Sequence, residues 1–515
     1  MSMQADDWTS GYVAEVGYTY GYYSELNPRR IAAPFINVGF VPPPIATACE
    51  LGFGQGLSVN IHAAASDIAW WGSDFNPGHA EFARELAAAS GAGPQLFDQS
   101  FAEFCRREDL PDFDYLGLHG ILSWVSEENQ RIVIDFVRRK LKVGGVLYLS
   151  YNCQPGHAAM VPLRHLLTEH AARMTAPARG LIARIDAALD FAEALIALNP
   201  AFAVANPTIA ERLKTLKGHD RHYLAHEYFN RDWRALPFAE LAASLAPAKL
   251  TFACSSHYLD HLDALNMTGD QHRFLAEIPD PMLRQSVRDF IVNQQFRREY
   301  WVKGGRRLAP LAQAEALRRL RFVLLSARDE IDYTVRSPLG TRELAPSVYN
   351  PILDVLADHQ PRSVGEIEEA VQAAALRLPA IFEGIMVLAG RGDLAVVQDD
   401  DVQAAARART DRLNRHILER ARSSGDVNVL ASPTTGGGVG VARFFQLFLL
   451  AREAGRKEPD EMAQFAWDIL AAQGQRVAKD GKALETDAEN LAELARQARE
   501  FADKRLPLFR AAQLI

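Results

Sequence analysis

At 515 residues the chain is longer than one hydrophobic core usually organises, so about two to four domains are expected. Hydrophobic residues make up 48% and charged residues 23%, the balance of a soluble globular protein, and a net charge of -8 argues against nucleic-acid binding through a general basic surface. Cys49, Cys105, Cys153 and Cys254 stand far apart without a C-x-x-C pair, which indicates neither a structural zinc site nor a disulfide framework. The N-terminus, M-S-M-Q-A-D-D-W, is acidic where a signal peptide is basic, and no run approaches about 18 apolar residues. A cytoplasmic location without membrane insertion is expected.

Residues 10–40 are dense in tyrosine: Tyr12, Tyr18, Tyr20, Tyr22 and Tyr23, followed by N-P-R-R. Such a segment suits either a lid over a site or packing against the outside of a sheet. From Ile45 the chain reads as strand, glycine turn, helix over Leu57 to Ala65, then a second strand ending at Asp74. Glycine is needed where a turn uses positive φ and where a Cβ would hold a ligand off the backbone. Asp74 lies 18 residues beyond Gly56 (74 − 56), near the interval that puts a carboxylate opposite ribose hydroxyls. The spacing is G-x-G-x-G rather than G-x-G-x-x-G, and Glu50 stands just before the first glycine. A phosphate ligand is repelled by that anion; a ligand carrying a sulfonium and an ammonium is attracted.

This run, Glu50-Leu51-Gly52-Phe53-Gly54-Gln55-Gly56, resembles the first motif, E/D-x-G-x-G-x-G, of the class I S-adenosylmethionine-dependent methyltransferases. The resemblance implies S-adenosylmethionine as cofactor and S-adenosylhomocysteine as product. It places Glu50, Gly52, Phe53, Gly54, Gly56, Asp74, Phe75 and Asn76 at the cofactor, with Tyr18 in a covering N-terminal segment.

A helix is expected over Pro77 to Ser90 and a short strand over Gln95 to Asp98. At this third strand end the family meets the adenine, and Asp98, Ser100 and Phe101 match by position; Asp98 is equally suited to an N-cap. The fourth strand, from Phe113, ends at His119-Gly120 with Ser123 and Trp124 behind, at the tip where a transferred methyl would project. Both His119 and Gly120 are assigned to the cofactor, and His119 also to catalysis. A helix over Gln130 to Leu141 and a fifth strand over Val146 to Asn152 follow, the latter running into C-Q-P-G-H. The phrases H-G-I-L-S-W-V-S and S-Y-N-C-Q-P-G-H resemble a narrower bacterial group. Its members are methyltransferases with a methyltransferase regulatory domain, among them rickettsial protein-lysine methyltransferases that modify an outer-membrane protein.

From Leu163 to about Ala197 the chain reads as helical, interrupted by Pro177. Residues 218–233 then concentrate polar and aromatic groups. His222 and His226 stand at i, i+4, but the order H-x-x-x-H-E lacks the inner glutamate of H-E-x-x-H, so no metal is expected. Y-L-A-H-E-Y-F-N-x-x-W resembles the regulatory-domain signature, which makes Tyr223, His226, Glu227 and Tyr228 candidates at the methyl acceptor. A buried polar network joining two domains is the alternative. Tyr20, Tyr22, Asn152 and His157 are further acceptor-side candidates, while His119, Trp124, Tyr151 and Glu227 are the catalytic ones. Phe274 to Tyr300 is expected to be helical. Beyond residue 305, the order helix, turn, helix, helix, short strand over residues 347–398 suggests a winged-helix-like unit, too acidic for DNA and better suited to protein contacts.

The expected architecture is α/β: a Tyr-rich N-terminal lid (1–40), a Rossmann-like class I methyltransferase sheet (41–160), a mostly helical middle or regulatory domain (161–305), and a helical, winged-helix-like C-terminal domain (306–515). The expected activity is N-methylation of lysine side chains in a protein substrate. Alternatives are a small-molecule or surface-glycan methyltransferase, or a cofactor-binding regulator without turnover. The extra region suits substrate docking or oligomerisation, so a homodimer is a candidate assembly.

Overall fold

A computed structural model describes residue 9, residues 11–176 and residues 179–515; Pro177 lies outside the described residues. Its centre is a seven-stranded sheet in the order β3-β2-β1-β4-β5-β7-β6. The strands are β1 (Thr47–Leu51), β2 (Ala69–Asp74), β3 (Gln95–Asp98), β4 (Phe113–Leu118), β5 (Leu141–Asn152), β6 (Thr251–Ser255) and β7 (Phe296–Val302). β1 to β5 pair in parallel, and β7 runs antiparallel between β5 and β6. The strand order turns back on itself beside β1, so β1 and β4 open a crevice at their carboxyl ends, where ligands of such sheets sit.

Period-two alternation sorts each strand between two cores. Cys49, Leu51, Leu116, Leu118, Leu147, Leu149 and Tyr151 face one side, against the helices Glu127–Lys140 and Phe238–Leu245. Ala48, Tyr115, Val146 and Tyr148 face the other, with Leu26, Ile31 and Phe35 of the N-terminal region. The helix Glu127–Lys140 is fixed at both ends: Ser126 caps it through Asn129 N, acids open it and Arg138, Arg139 and Lys140 close it, matching the helix dipole.

The region after residue 160 is more than helical. The helices Met160–Arg173, Leu181–Ala197 and Ile209–Gly218 form a small separate core with Leu224 and Ala225. The chain then returns to supply β6 and β7, so two of the sheet's strands come from the stretch expected as a helical module. The helix expected over residues 274–300 ends at Val292, and Gln294-Gln-Phe-Arg-Arg leads into β7. The strand signal is masked by charge: Arg297 and Glu299 are buried and paired with each other and with Asp289.

C-terminal to the sheet, β8 (Arg321–Leu324) is flanked by β11 (Arg362–Ser363) and β12 (Leu394–Val396), and β9 (Thr334–Ser337) with β10 (Gly340–Glu343) forms a projecting hairpin. Helices Pro346–Val355, Val364–Ala370 and Leu378–Arg391 cover this small sheet. Helix, strand, helix, helix and strand follow one another here, β8 precedes them and pairs with both strands, and β12 leads straight into a long helix, Asp400–Arg420. Residues from Leu413 to Leu514 then pack against the helices Leu57–Ala65 and Pro77–Ser90. Every residue of Leu57–Ala65 is consequently buried, His62 and Asn60 included. No helix of the described residues is long and apolar enough to cross a membrane.

Candidate active site

The carboxyl ends of β1, β2, β4 and β5, the N-terminal segment and the helix Arg221–Tyr228 enclose a cavity of about 470 Å³. Its two ends have different chemistry. At the β1–β2 end, Gly52, Phe53 and Gly54 form the wall, Gly52 and Gly54 at φ +71° and +56°. Such values strain any side chain, and a Cβ at Gly52 would lie 2.4 Å from the Ile121 side chain. Asp74 Oδ2 accepts from Gly54 N at 2.8 Å, which ties the glycine turn to the tip of β2, and Asp74 Oδ1 contacts His79 Nδ1 at 3.2 Å. Beneath them Glu50 is buried with its Oε2 unpartnered among the described residues. Burial, and secondarily Asp74, push its carboxyl well above the usual range. Phe75, Ser100 and Phe101 complete this end.

At the β4–β5 end stand His119, Gly120, Trp124, Asn152 and Phe296, facing Tyr223, His226, Glu227 and Tyr228 across the cavity. His119 is pinned: Nδ1 lies 2.9 Å from Tyr148 Oη, and Tyr23 stacks on the ring at 3.9 Å between centroids. Burial lowers its pKa to about 4, so the imidazole is neutral. Trp124 packs over Gly120, where a Cβ would sit 2.9 Å from the indole, and donates from Nε1 to the Glu227 carbonyl oxygen at 3.1 Å. The Glu227 carboxylate lies among tyrosines and takes a long hydrogen bond from Tyr18 Oη at 3.4 Å; burial raises its pKa to about 7.

The N-terminal segment crosses the cavity and is tied to both sides. Tyr23 N donates to Ser58 Oγ, Gln55 Nε2 to the Tyr18 carbonyl, and Val13 N to Asn230 Oδ1. His226, held neutral by burial with a pKa of about 4, uses Nε2 on the Val16 carbonyl at 3.0 Å, so its committed nitrogen serves the segment. His157 lines the cavity against Trp233, and its pKa too falls to about 4.

Six sequence-derived assignments are corrected by this geometry. Tyr151 is fully buried on the opposite face of β5 from Tyr148 and Asn152, because successive strand residues alternate. Tyr20 packs on Phe82, and Tyr22 accepts from Gly438 N at 2.6 Å beside His62; both face the C-terminal region rather than the cavity. Gly56 lies behind the wall, where its missing Cβ lets the helix Leu57–Ala65 approach Ala83. Asn76 caps the helix Pro77–Ser90 by accepting from Gly78 N and His79 N. Asp98 is exposed at the end of β3, and Gln99 lines the cavity in its place. Tyr12, Tyr23, Gln295 and Phe296 are cavity residues that carry no motif. The described residues hold no cluster of three or more His, Cys, Asp or Glu able to bind a metal.

Residues 220–303 match the family described as "Predicted methyltransferase regulatory domain". The uncharacterized protein sll1526 of Synechocystis is 38% identical over 506 residues, 97% of this chain and 98% of that one. The chain belongs to one family with sll1526, and it carries the methyltransferase regulatory domain. The uncharacterized protein RP789 of Rickettsia prowazekii shares 25% identity over 298 residues, 55% of this chain and 51% of that protein. The fold is that of PKMT2 from Rickettsia typhi, solved in complex with AdoHcy, with a TM-score of 0.69 at 17% identity over 96% of this chain and 99% of that one. In this family member the signature helix Arg221–Tyr228 therefore forms one wall of the cavity at the sheet's carboxyl edge.

Proposed function

We propose that the protein transfers a methyl group from S-adenosylmethionine to the ε-nitrogen of lysine in a polypeptide. The observation that carries the reading is the division of one cavity into an acidic glycine-turn end and a tyrosine-lined end around Glu227. The donor end fits the cofactor. Glu50 offers an unpartnered buried oxygen to a cation, a Cβ built at Gly54 would meet only the Tyr18 ring at 3.6 Å, and Asp74 stands where ribose hydroxyls are met in such sheets. Glu50, Gly52, Gly54, Asp74, Phe75, Ser100 and Phe101 would hold it. The similar PKMT2 structure, solved in complex with AdoHcy, supports the choice of cofactor. When bound, the cofactor supplies a methyl on a positively charged sulfur.

The chain's own residues do the rest. A lysine ammonium has no lone pair, so it must lose a proton before transfer. Glu227, with a pKa of about 7, is placed to receive that proton at neutral pH. Tyr12, Tyr18, Tyr23, Tyr223 and Tyr228 exclude water, which lowers the amine pKa, and present ring faces to the cationic product. His119, neutral and clamped by Tyr148 and Tyr23, is a rigid wall and a single orienting nitrogen. Alignment and water exclusion supply much of the rate in such a displacement.

The test is incubation of the purified protein with isotopically labelled S-adenosylmethionine and cell-lysate protein, followed by mass spectrometry of labelled peptides. Label on lysine supports the reading. Label confined to small molecules or polysaccharide moves the acceptor elsewhere, and no label despite cofactor binding refutes turnover.

A further inference from the structure

A second cavity of about 290 Å³ adjoins the first on the acceptor side. Gln295 and Phe296 line both, so a wall one residue thick separates them at the start of β7. Phe296 is registered against Asn152 on β5, and its ring stands edge-on to His119 at 6.1 Å between centroids. The two cavities thus adjoin at the His119 end, away from the glycine turn. Its outer walls are the loop from His257 to Asn266, the end of the helix Pro281–Val292, and the tip of the β9–β10 hairpin at Arg336, Ser337 and Pro338.

This trough has a chemical bias. Asp260 is an anion held by Ser255 Oγ at 2.7 Å with the Arg288 and Arg298 guanidiniums near it, and Arg298 is also paired with Glu25 at 2.6 Å. Arg336 is exposed and makes no hydrogen bond or ion pair among the described residues, which leaves it as a free cation over the trough. The hairpin that carries it is firmly rooted: Val335 is buried, Arg391 Nη1 donates to the Thr334 carbonyl at 2.9 Å, and Leu344 N to the Tyr333 carbonyl at 2.7 Å. The hairpin therefore holds the Arg336 guanidinium over the trough, which meets the main cavity at Gln295 and Phe296.

Resting on the polypeptide-lysine reading above, we propose that this trough seats the substrate chain next to the target lysine, and that Arg336 selects an acidic side chain flanking it. The lysine passes Phe296 into the main cavity while its neighbours remain in the trough. This assigns the β9–β10 hairpin as a specificity element.

The test uses the full-length protein and three peptides of equal length, each with a single lysine flanked by glutamate, glutamine or arginine. Wild type is expected to favour the glutamate-flanked peptide over the arginine-flanked one by about tenfold in kcat/KM, and Arg336→Glu to reverse that order. All four native cysteines are buried, so Arg336→Cys can be labelled selectively with a bulky maleimide. The labelled protein is expected to lose peptide methylation while binding S-adenosylmethionine as wild type does. Unchanged kcat/KM for all three peptides in Arg336→Glu and in the labelled protein would overturn the assignment of the trough. A wild-type protein that binds the cofactor but methylates none of the peptides would overturn the polypeptide reading itself.

Discussion

Trp124 donates its indole N–H to the backbone carbonyl of Glu227 at 3.1 Å, joining the turn after β4 to the signature helix of the regulatory module. Trp124 also packs over Gly120, so one indole ties the Glu227 backbone to the turn after β4. Trp124→Phe keeps most of the packing and removes the donor, a loss of about 1 kcal/mol that leaves a carbonyl short of a partner. We predict that methyl transfer slows by about tenfold while cofactor affinity stays within about twofold, because the glycine turn is untouched. Parallel kinetics and calorimetric titration check this.

Glu227 makes the reaction pH-dependent. With its pKa raised to about 7 by burial, it is protonated below neutrality and unable to accept a proton, so the rate should rise as pH passes through about 7. A Glu227→Gln variant should lose that limb of the profile. Stability runs the opposite way. The unfolded carboxyl ionises near 4.5 and the folded one near 7, so folding stability falls as pH climbs between them. Glu227→Gln should therefore be more stable than wild type at about pH 8 by up to ~3 kcal/mol and no more stable at about pH 4, as urea denaturation would show.

The two glycines of the turn should separate binding from folding. At Gly56 a Cβ would come 2.4 Å from the Ala83 Cβ, and φ is +71°; Gly56→Ala should cost about 2–4 kcal/mol of stability, visible as a fall in melting temperature. Gly54 faces the cavity, where its Cβ has room. Gly54→Arg should fill the donor end and abolish cofactor binding with a smaller loss of stability, measured by titration and by melting.

Tyr22 joins the N-terminal segment to the C-terminal region through Gly438 N and His62. Tyr22→Phe leaves the half-buried amide of Gly438 without its acceptor, which should cost about 1 kcal/mol in denaturant titration and leave the KM for the methyl acceptor unchanged. A change in KM alone would mean that Tyr22 meets substrate.

The glycine-turn wall of the cavity was legible from Glu50 to Gly54 because it is local: adjacent residues make the turn and the charge. The opposite wall was partly legible through Glu227 and Tyr223 in one helix. What sequence could not say is which way an extended segment faces. Tyr18, Gly21 and Tyr23 line the cavity while Tyr20 and Tyr22 turn outward, and that choice is made by Gly438 and Arg420, some four hundred residues away. Tyr151 is the instructive case, since Asn152 at the cavity obliges its neighbour to point away. Phe296 was hidden for another reason: Arg297 and Glu299 broke the apolar pattern of β7, their charges being satisfied by each other and by Asp289. The burial of Leu57–Ala65 on all sides was likewise beyond local reading, as the covering residues arrive after residue 400.

In the proposed reaction, one cavity takes the methyl donor at Asp74 and the acceptor at Glu227. The most direct measurement is cofactor dissociation constant and methyl-transfer rate, determined side by side for wild type, Asp74→Ala and Glu227→Gln. We predict that Asp74→Ala weakens binding by more than about tenfold, while Glu227→Gln binds as wild type and transfers at least about tenfold more slowly. Unchanged affinity in Asp74→Ala, or equal loss of binding and transfer in Glu227→Gln, would contradict it.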